Sequence, residues 1–117
     1  MKTVKLEDYQ ISKFLEKNNL KLWEHKQDRD RKILEKKFYF GSYAVAWKFY
    51  GRLARVIDLT GHGLEWMDIK DVVTITLSTK DCGGVSVKDL VFAWVIDRML
   101  VDESFDRMAD LRLYLDL

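Results

Sequence analysis

The sequence predicts an α+β domain of two layers: antiparallel strands in one sheet, with helices packed on one face of it. Three observations carry this reading. Residues Val72 to Ser78 (VVTITLS) alternate, with Val73, Ile75 and Leu77 one way and Thr74 and Thr76 the other, which is the pattern of a strand with one buried face. Apolar residues recur at helical spacing in two places. Ile11, Phe14 and Leu15 do so within Glu7 to Asn18, and Val45, Phe49, Leu53, Val56 and Ile57 do so after Gly41-Ser42. Finally, a charged turn from Asp28 to Arg31 separates two apolar stretches, so the strands are local and antiparallel.

Taken in order, the first helix stops at Asn18-Asn19, a terminator pair. Leu20, Leu22 and Trp23 begin a short extended stretch. Beyond the charged turn, Ile33 to Phe40 reads as a strand with Leu34, Phe38 and Phe40 on one face and Lys36 interrupting it, so the two stretches form a hairpin. Gly41-Ser42 ends the strand and offers an N-cap hydroxyl. The helix that follows runs for about five turns, with Lys48, Arg52 and Arg55 on its solvated side, and Gly61 and Gly63 break it. Cys82-Gly83-Gly84 is a turn that can supply positive φ. Ser86 to Asp89 has capping-box spacing, with Asp89 in the acidic position. The last predicted helix, LVFAWVIDRML, is apolar almost all round, so it needs cover on two sides: the sheet on one and a second subunit on the other. The free sheet face carries Thr74 and Thr76. Its unpaired edges, together with the apolar last helix, favour a homo-oligomer.

Composition narrows the function classes. A chain of 117 residues without Pro, linker or low-complexity tract is one domain, and its four Trp, six Phe and five Tyr supply a compact core. The 20 basic and 19 acidic residues nearly cancel, which removes any bulk-charge reason to bind nucleic acid or an anionic membrane. No stretch approaches the roughly 20 apolar residues of a membrane span, and MKTVKLEDYQ lacks the apolar centre of a signal peptide. The single cysteine, Cys82, excludes an internal disulfide, and with only two histidines beside it a protein metal site is not expected. These features point to a soluble, cytoplasmic protein.

The run from Phe38 to Asp89 contains FYF, an Ala- and Phe-bearing helix, HGLEW, ITLSTKDCGG and a final KD. It resembles the pterin-4a-carbinolamine dehydratases, whose members show F-x-F, a helix, HHPEW, a strand ending in S-T-H, a Gly-containing turn and a closing Asp. The spacing fits without a gap from Phe38 to Asp89. The N-terminal helix and Trp23 extend the likeness to about residues 7 to 100. Singly these motifs are weak; at fixed spacing together they are specific. The resemblance implies a four-stranded antiparallel sheet with helices on one face, assembled as a homodimer or homotetramer. It implies a pterin as the small-molecule partner, with no cofactor and no metal. The domain would span residues 1–102, with 103–117 a C-terminal extension of it.

The resemblance also implies a reaction: loss of water from a 4a-hydroxytetrahydropterin to give the quinonoid dihydropterin. The leaving hydroxyl needs a proton and the ring-nitrogen side must lose one, work that suits imidazoles with an ordinary pKa of about 6.5. Position by position, His62 fills the first His of the family pattern, and Gly63 stands where the second belongs. Leu64 replaces the usual Pro, while Glu65 and Trp66 are kept. Lys70 stands where an aromatic is usual, and Lys80 stands at the third His, directly after Ser78-Thr79. Asp89 is kept, and Asp58, four residues before His62, is placed to orient its imidazole. The implied catalytic set is therefore His62, Asp89, Lys80 and Asp58, with Glu65, Trp66, Gly63 and Thr79 binding substrate. Two of three imidazoles are gone, so a reduced or altered activity is expected.

Plainer readings stand beside these. His62 between two glycines is as well a loop histidine, Lys80-Asp81 a solvated turn, and Asp89 first a helix cap and only second an acid. Trp66 is core or pocket wall; Trp47 and Trp94 are core or interface; His25 has no partner by spacing. The last fifteen residues depart from the family pattern. Leu111, Leu113, Leu115 and Leu117 alternate as in a strand, while Phe105, Met108, Leu111 and Leu115 fit a helix. Either way its apolar residues need a surface to cover: a sheet edge of the same subunit or of a neighbour, the mouth of the pocket, or a protein partner. A second function class follows: a non-catalytic member acting as a dimerisation cofactor or assembly factor.

Overall fold

The computed structural model describes residues 4–60, 64–69 and 72–101. The first helix, α1 (Asp8–Lys17), is entered through Glu7, whose backbone N–H donates to the Gln10 side chain at 2.9 Å. It ends where the Asn pair predicts. Asn18 Nδ2 donates back to the Phe14 carbonyl at 2.9 Å, and Asn19 takes the left-handed conformation at φ 57°, which Asn tolerates better than most residues. Residues Leu20 to Trp23 are not extended, contrary to the expectation. Leu20 N donates to Leu15 O at 2.8 Å and Trp23 N to Leu20 O at 3.1 Å, so the chain turns tightly under α1 and buries Leu20 and Trp23.

Strands β1 (Glu24–Asp28) and β2 (Arg31–Tyr39) form the expected hairpin, closed through Arg29-Asp30 with Asp28 opposite Arg31. Leu34 and Phe38 face the core. Lys36 lies between them on the same face, and the reason it is tolerated lies elsewhere in the chain. Its ammonium reaches Asp97 at 2.9 Å and lies 4.8 Å from the centre of the Phe38 ring, while Trp23 Nε1 donates to the same Asp97 oxygen at 3.1 Å.

Helix α2 (Tyr43–Thr60) has Ser42 as its N-cap, with the hydroxyl accepting Val45 N–H at 3.3 Å. Its inward face is Ala46, Phe49, Leu53 and Val56, whereas Val45 is exposed. The stripe therefore begins one residue later than the apolar spacing suggested. Arg52 also departs from the solvated face. Its guanidinium donates to the Met99 carbonyl in the last turn of α3 (Val87–Val101), where helix carbonyls lack internal partners and a cation is favoured.

Strands β3 (Glu65–Ile69) and β4 (Val72–Leu77) complete an open sheet of order β1-β2-β4-β3, every neighbouring pair antiparallel. Val73, Ile75 and Leu77 are fully buried, and Thr74 and Thr76 lie half-buried on the opposite face, as the alternation predicts. One apolar cluster joins these residues to Ile11 and Leu15 of α1, Phe49, Leu53 and Val56 of α2, and most of α3. The sheet thus carries its helices on one face, in two layers.

Most of the apolar surface of α3 is covered within the chain. Leu90, Val91, Phe92, Ala93, Val95, Ile96 and Met99 are all buried by the chain's own sheet and helices. Val87 and Leu100 of this helix stay exposed. Trp94 is half-buried, and Trp47 is exposed rather than core. No helix among the described residues is long and apolar enough to cross a membrane. The glycine break at Gly61 and Gly63, Lys70 and the extension 103–117 lie outside the described residues.

Candidate active site

One end of the sheet gathers several of the expected site residues. Past Leu77 the chain runs through Ser78 and Thr79, makes a short 3-10 turn at Lys80–Cys82, and returns through Gly84, which bridges back to Thr79. Thr79 N donates to Gly84 O at 2.7 Å. Gly83 closes this turn at φ 67°, a conformation that costs a side-chain-bearing residue about 1–2 kcal/mol. Directly beyond it Ser86 starts α3.

The Ser86–Asp89 capping box is present and reaches further than the helix. Asp89 Oδ2 accepts Ser86 N–H at 2.9 Å and the Thr79 hydroxyl at 2.7 Å. The Thr79 and Ser86 hydroxyl oxygens are 2.7 Å apart, and Ser86 Oγ accepts Lys88 N–H at 3.2 Å. Each hydroxyl has one proton to give. With Thr79 donating to the carboxylate, Ser86 donates to Thr79. The result is a directed chain from the first turn of α3 to the end of β4. Asp89 is fully buried and Thr79 nearly so. The carboxylate therefore holds the 79–86 turn in place and stands one hydrogen bond behind its surface.

In front of this turn is a cleft of about 730 Å³, bounded by the hairpin turn Asp28–Arg31, Glu65, Ser78, Thr79, Lys80, Gly83 and Gly84. Arg31 is its organiser. One guanidinium nitrogen donates to both Glu65 oxygens at 2.9 and 3.0 Å, the other to Ser78 Oγ at 2.7 Å, and Asp28 lies 3.6 Å away. The hydrogen bond to Glu65, with Asp28 nearby, raises the Arg31 pKa, so it is a permanent cation here. Arg31 links the starts of β2 and β3 to the end of β4. From the sequence it belongs to a charged turn, Asp28 to Arg31. Its partner Glu65 lies two strands away across β4, so no short-range sequence signal marks the pair.

The structure brings Glu65, at the start of β3, together with Thr79 and Lys80 of the turn after β4, with Asp89 behind Thr79. It does not bring Trp66 into this cleft. Successive strand residues face opposite ways, so Trp66 turns to the helix side and stacks on Tyr50 (centroids 5.8 Å, 23° between planes), which meets Trp47 edge-on at 5.6 Å. Asp58 is exposed near the end of α2 and does not line the cleft. His62 and Gly63 lie outside the described residues; in sequence they stand three and two positions before Glu65.

An open four-stranded antiparallel sheet, helices on one face and a polar cleft at one end of the sheet define a two-layer α+β protein with a candidate small-molecule site at a turn–helix junction. The profile of the family described as pterin 4 alpha carbinolamine dehydratase matches residues 4–99. A protein of Prochlorococcus marinus (strain NATL2A), named "Putative pterin-4-alpha-carbinolamine dehydratase", is 30% identical over 95 residues, 81% of this chain and 94% of that relative. A relative of the same name from Opitutus terrae is 40% identical over 65 residues, 55% of this chain and 67% of its own. A solved structure, the transcriptional coactivator/pterin dehydratase from Brucella melitensis, superposes with a TM-score of 0.72 at 22% identity, over 81% of this chain and 97% of that one, and so shares the fold. The chain belongs to the pterin-4a-carbinolamine dehydratase family.

Proposed function

We propose that the chain dehydrates a 4a-hydroxytetrahydropterin to the quinonoid dihydropterin, with chemistry reduced and altered by its substitutions. The observation that carries this reading is the convergence of Glu65, Thr79 and Lys80 on one cleft, with His62 three residues before Glu65 in the chain. In the reaction the C4a–oxygen bond breaks, the hydroxyl leaves as water after taking a proton, and the neighbouring ring nitrogen gives one up. His62 is the acid–base group, with Asp58, four residues earlier in the sequence, to orient it. Lys80 supplies a positive charge to the departing oxygen, replacing an imidazole with a group of much higher ordinary pKa. Asp89 is a positioning residue, acting through Thr79. Glu65, already held by Arg31, offers acceptors to the polar edge of the pterin rather than a free base. Trp66, directed away from the cleft, fixes β3 against α2 through Tyr50. Gly63 adds room.

One acid–base group is worth about 10²–10⁴-fold in rate, so a chain with one imidazole where the family pattern has three is expected to turn over slowly, but above the uncatalysed reaction. The test is the rate with synthetic carbinolamine. His62→Ala is expected to return it to background, and Lys80→Met to lower it by about tenfold or more. Equal rates for the unaltered protein and His62→Ala would overturn the reading.

A second reading, a non-catalytic dimerisation cofactor or assembly factor, is favoured by the exposed aromatic surface of Tyr43, Trp47 and Trp66 and by the name of the Brucella protein. It predicts no binding of a dihydropterin analogue beside His62. We further propose a cytoplasmic homodimer or homotetramer, its association read by light scattering.

A further inference from the structure

We propose that residues 102–117 dock in the groove between α2 and α3 of their own chain. The groove is open, about 690 Å³, and its character is unusual for a molecule with a net charge of only +1. Its floor and rim are apolar, with Val45, Trp47 and Leu100 all well exposed, while Lys48, Arg52 and Arg55 of α2 give it three positive charges. An exposed Trp flanked by aliphatic side chains is surface that a folded chain normally covers.

The segment that begins where α3 ends has the matching composition. Leu100, one of the groove's own walls, is two residues before Asp102. The 16 residues carry five carboxylates (Asp102, Glu103, Asp106, Asp110 and Asp116) against Arg107 and Arg112. Their apolar residues include Phe105, Met108 and four leucines, out of proportion to a solvated tail. Length is sufficient in any conformation: about 24 Å if helical and about 50 Å if extended, against about 27 Å for the 18 residues of α2. The family match ends at residue 99, so the segment lies beyond the matched residues and beside a groove built almost wholly from them. Docked there, it buries Trp47 and closes this face of α2, so that any other chain using the face must displace it.

Chymotrypsin cleavage after Phe105 and Tyr114 in the full-length protein reads the docking, with a synthetic 102–117 peptide as the reference. Cleavage is expected to be at least about tenfold slower in the protein, and independent of protein concentration over about a hundredfold range. Lys48→Glu/Arg55→Glu is expected to lose this protection, as is Asp106→Lys/Asp110→Lys, and the four changes together to restore it. The tail variant alters nothing in the described fold, so its result does not depend on the folding of the groove variant. Peptide-like cleavage of the unaltered protein overturns the proposal. So does protection that appears only as concentration rises, which would place the segment on a second copy. Protection that survives both charge reversals also overturns it, since the segment would then lie elsewhere.

Discussion

Asp97 shows how much a single side chain can decide in this protein. It lies on α3 between Ile96 and Arg98, and one of its oxygens takes hydrogen bonds from Lys36 at 2.9 Å and from Trp23 at 3.1 Å. Lys36 is only 12% exposed, its position in β2 forced by an alternation that puts Leu34 and Phe38 beside it. Without the carboxylate, a largely desolvated ammonium would remain with only an aromatic face for company. Asp97→Ala is therefore expected to destabilise by about 2–3 kcal/mol. Adding Lys36→Met should recover part of that loss, because the charge that had to be answered is removed. Urea unfolding of the two single variants and the double variant measures the coupling; strict additivity would show the pair to be independent. The same logic at the site applies to Thr79, which relays Asp89 to the cleft. Thr79→Val keeps the shape but deprives the buried carboxylate of one donor and is expected to cost about 1–2 kcal/mol.

At the scale of elements, the β1–β2 hairpin holds a local cost that can be removed. Arg29 sits at φ 59°, left-handed backbone that suits Gly or Asn. Its side chain is exposed, so Arg29→Gly is expected to stabilise by about 0.5–1 kcal/mol, seen as a raised melting temperature with unchanged denaturant slope. An unchanged or lowered melting temperature would mean that Arg29 contributes more at the cleft rim than its backbone costs. Elements of this kind were legible wherever periodicity spans several residues. Val73, Ile75 and Leu77, the Asn18-Asn19 stop and the Ser86–Asp89 box are all where the sequence places them. What was not legible needed a partner distant in sequence. Lys36 looked like an interruption until Asp97, 61 residues on, came into contact. Arg31 looked like a turn residue until β3 was found two strands away with Glu65. Leu20 to Trp23 looked extended because turns that bury Leu and Trp leave no short-range pattern. The site shows the same division. Glu65 and Trp66, adjacent in sequence and joined in one motif, face opposite sides of the sheet.

For the whole molecule, nearly balanced charge leaves pH dependence near neutrality to a few groups, and His25 is the one whose surroundings clearly act. On β1 it faces the helix layer with its side chain 9% exposed. Its Nε2 is buried without a hydrogen-bond partner among the described residues. Burial lowers its pKa from the ordinary 6.5. The Asp8 carboxylate, 3.8 Å from Nδ1, pulls the other way, and Lys32 adds to the lowering. The sign follows from which state binds the proton more readily. Below pH 6.5 the unfolded chain takes up a proton that the folded protein resists, so the unfolded state gains. The stability at stake is fully present above pH 6.5 and is lost as pH falls from there through the folded value. Most carboxylates titrate lower, with ordinary pKa values of about 4, which leaves the range of about pH 7 to 5.5 to the histidines. The melting temperature of the unaltered protein is expected to drop across this range, and that of His25→Leu to stay nearly level. His62→Ala, which removes the only other histidine, should keep the drop. If His25→Leu retains the full slope and His62→Ala abolishes it, the titrating group is at the proposed active site rather than beneath α1.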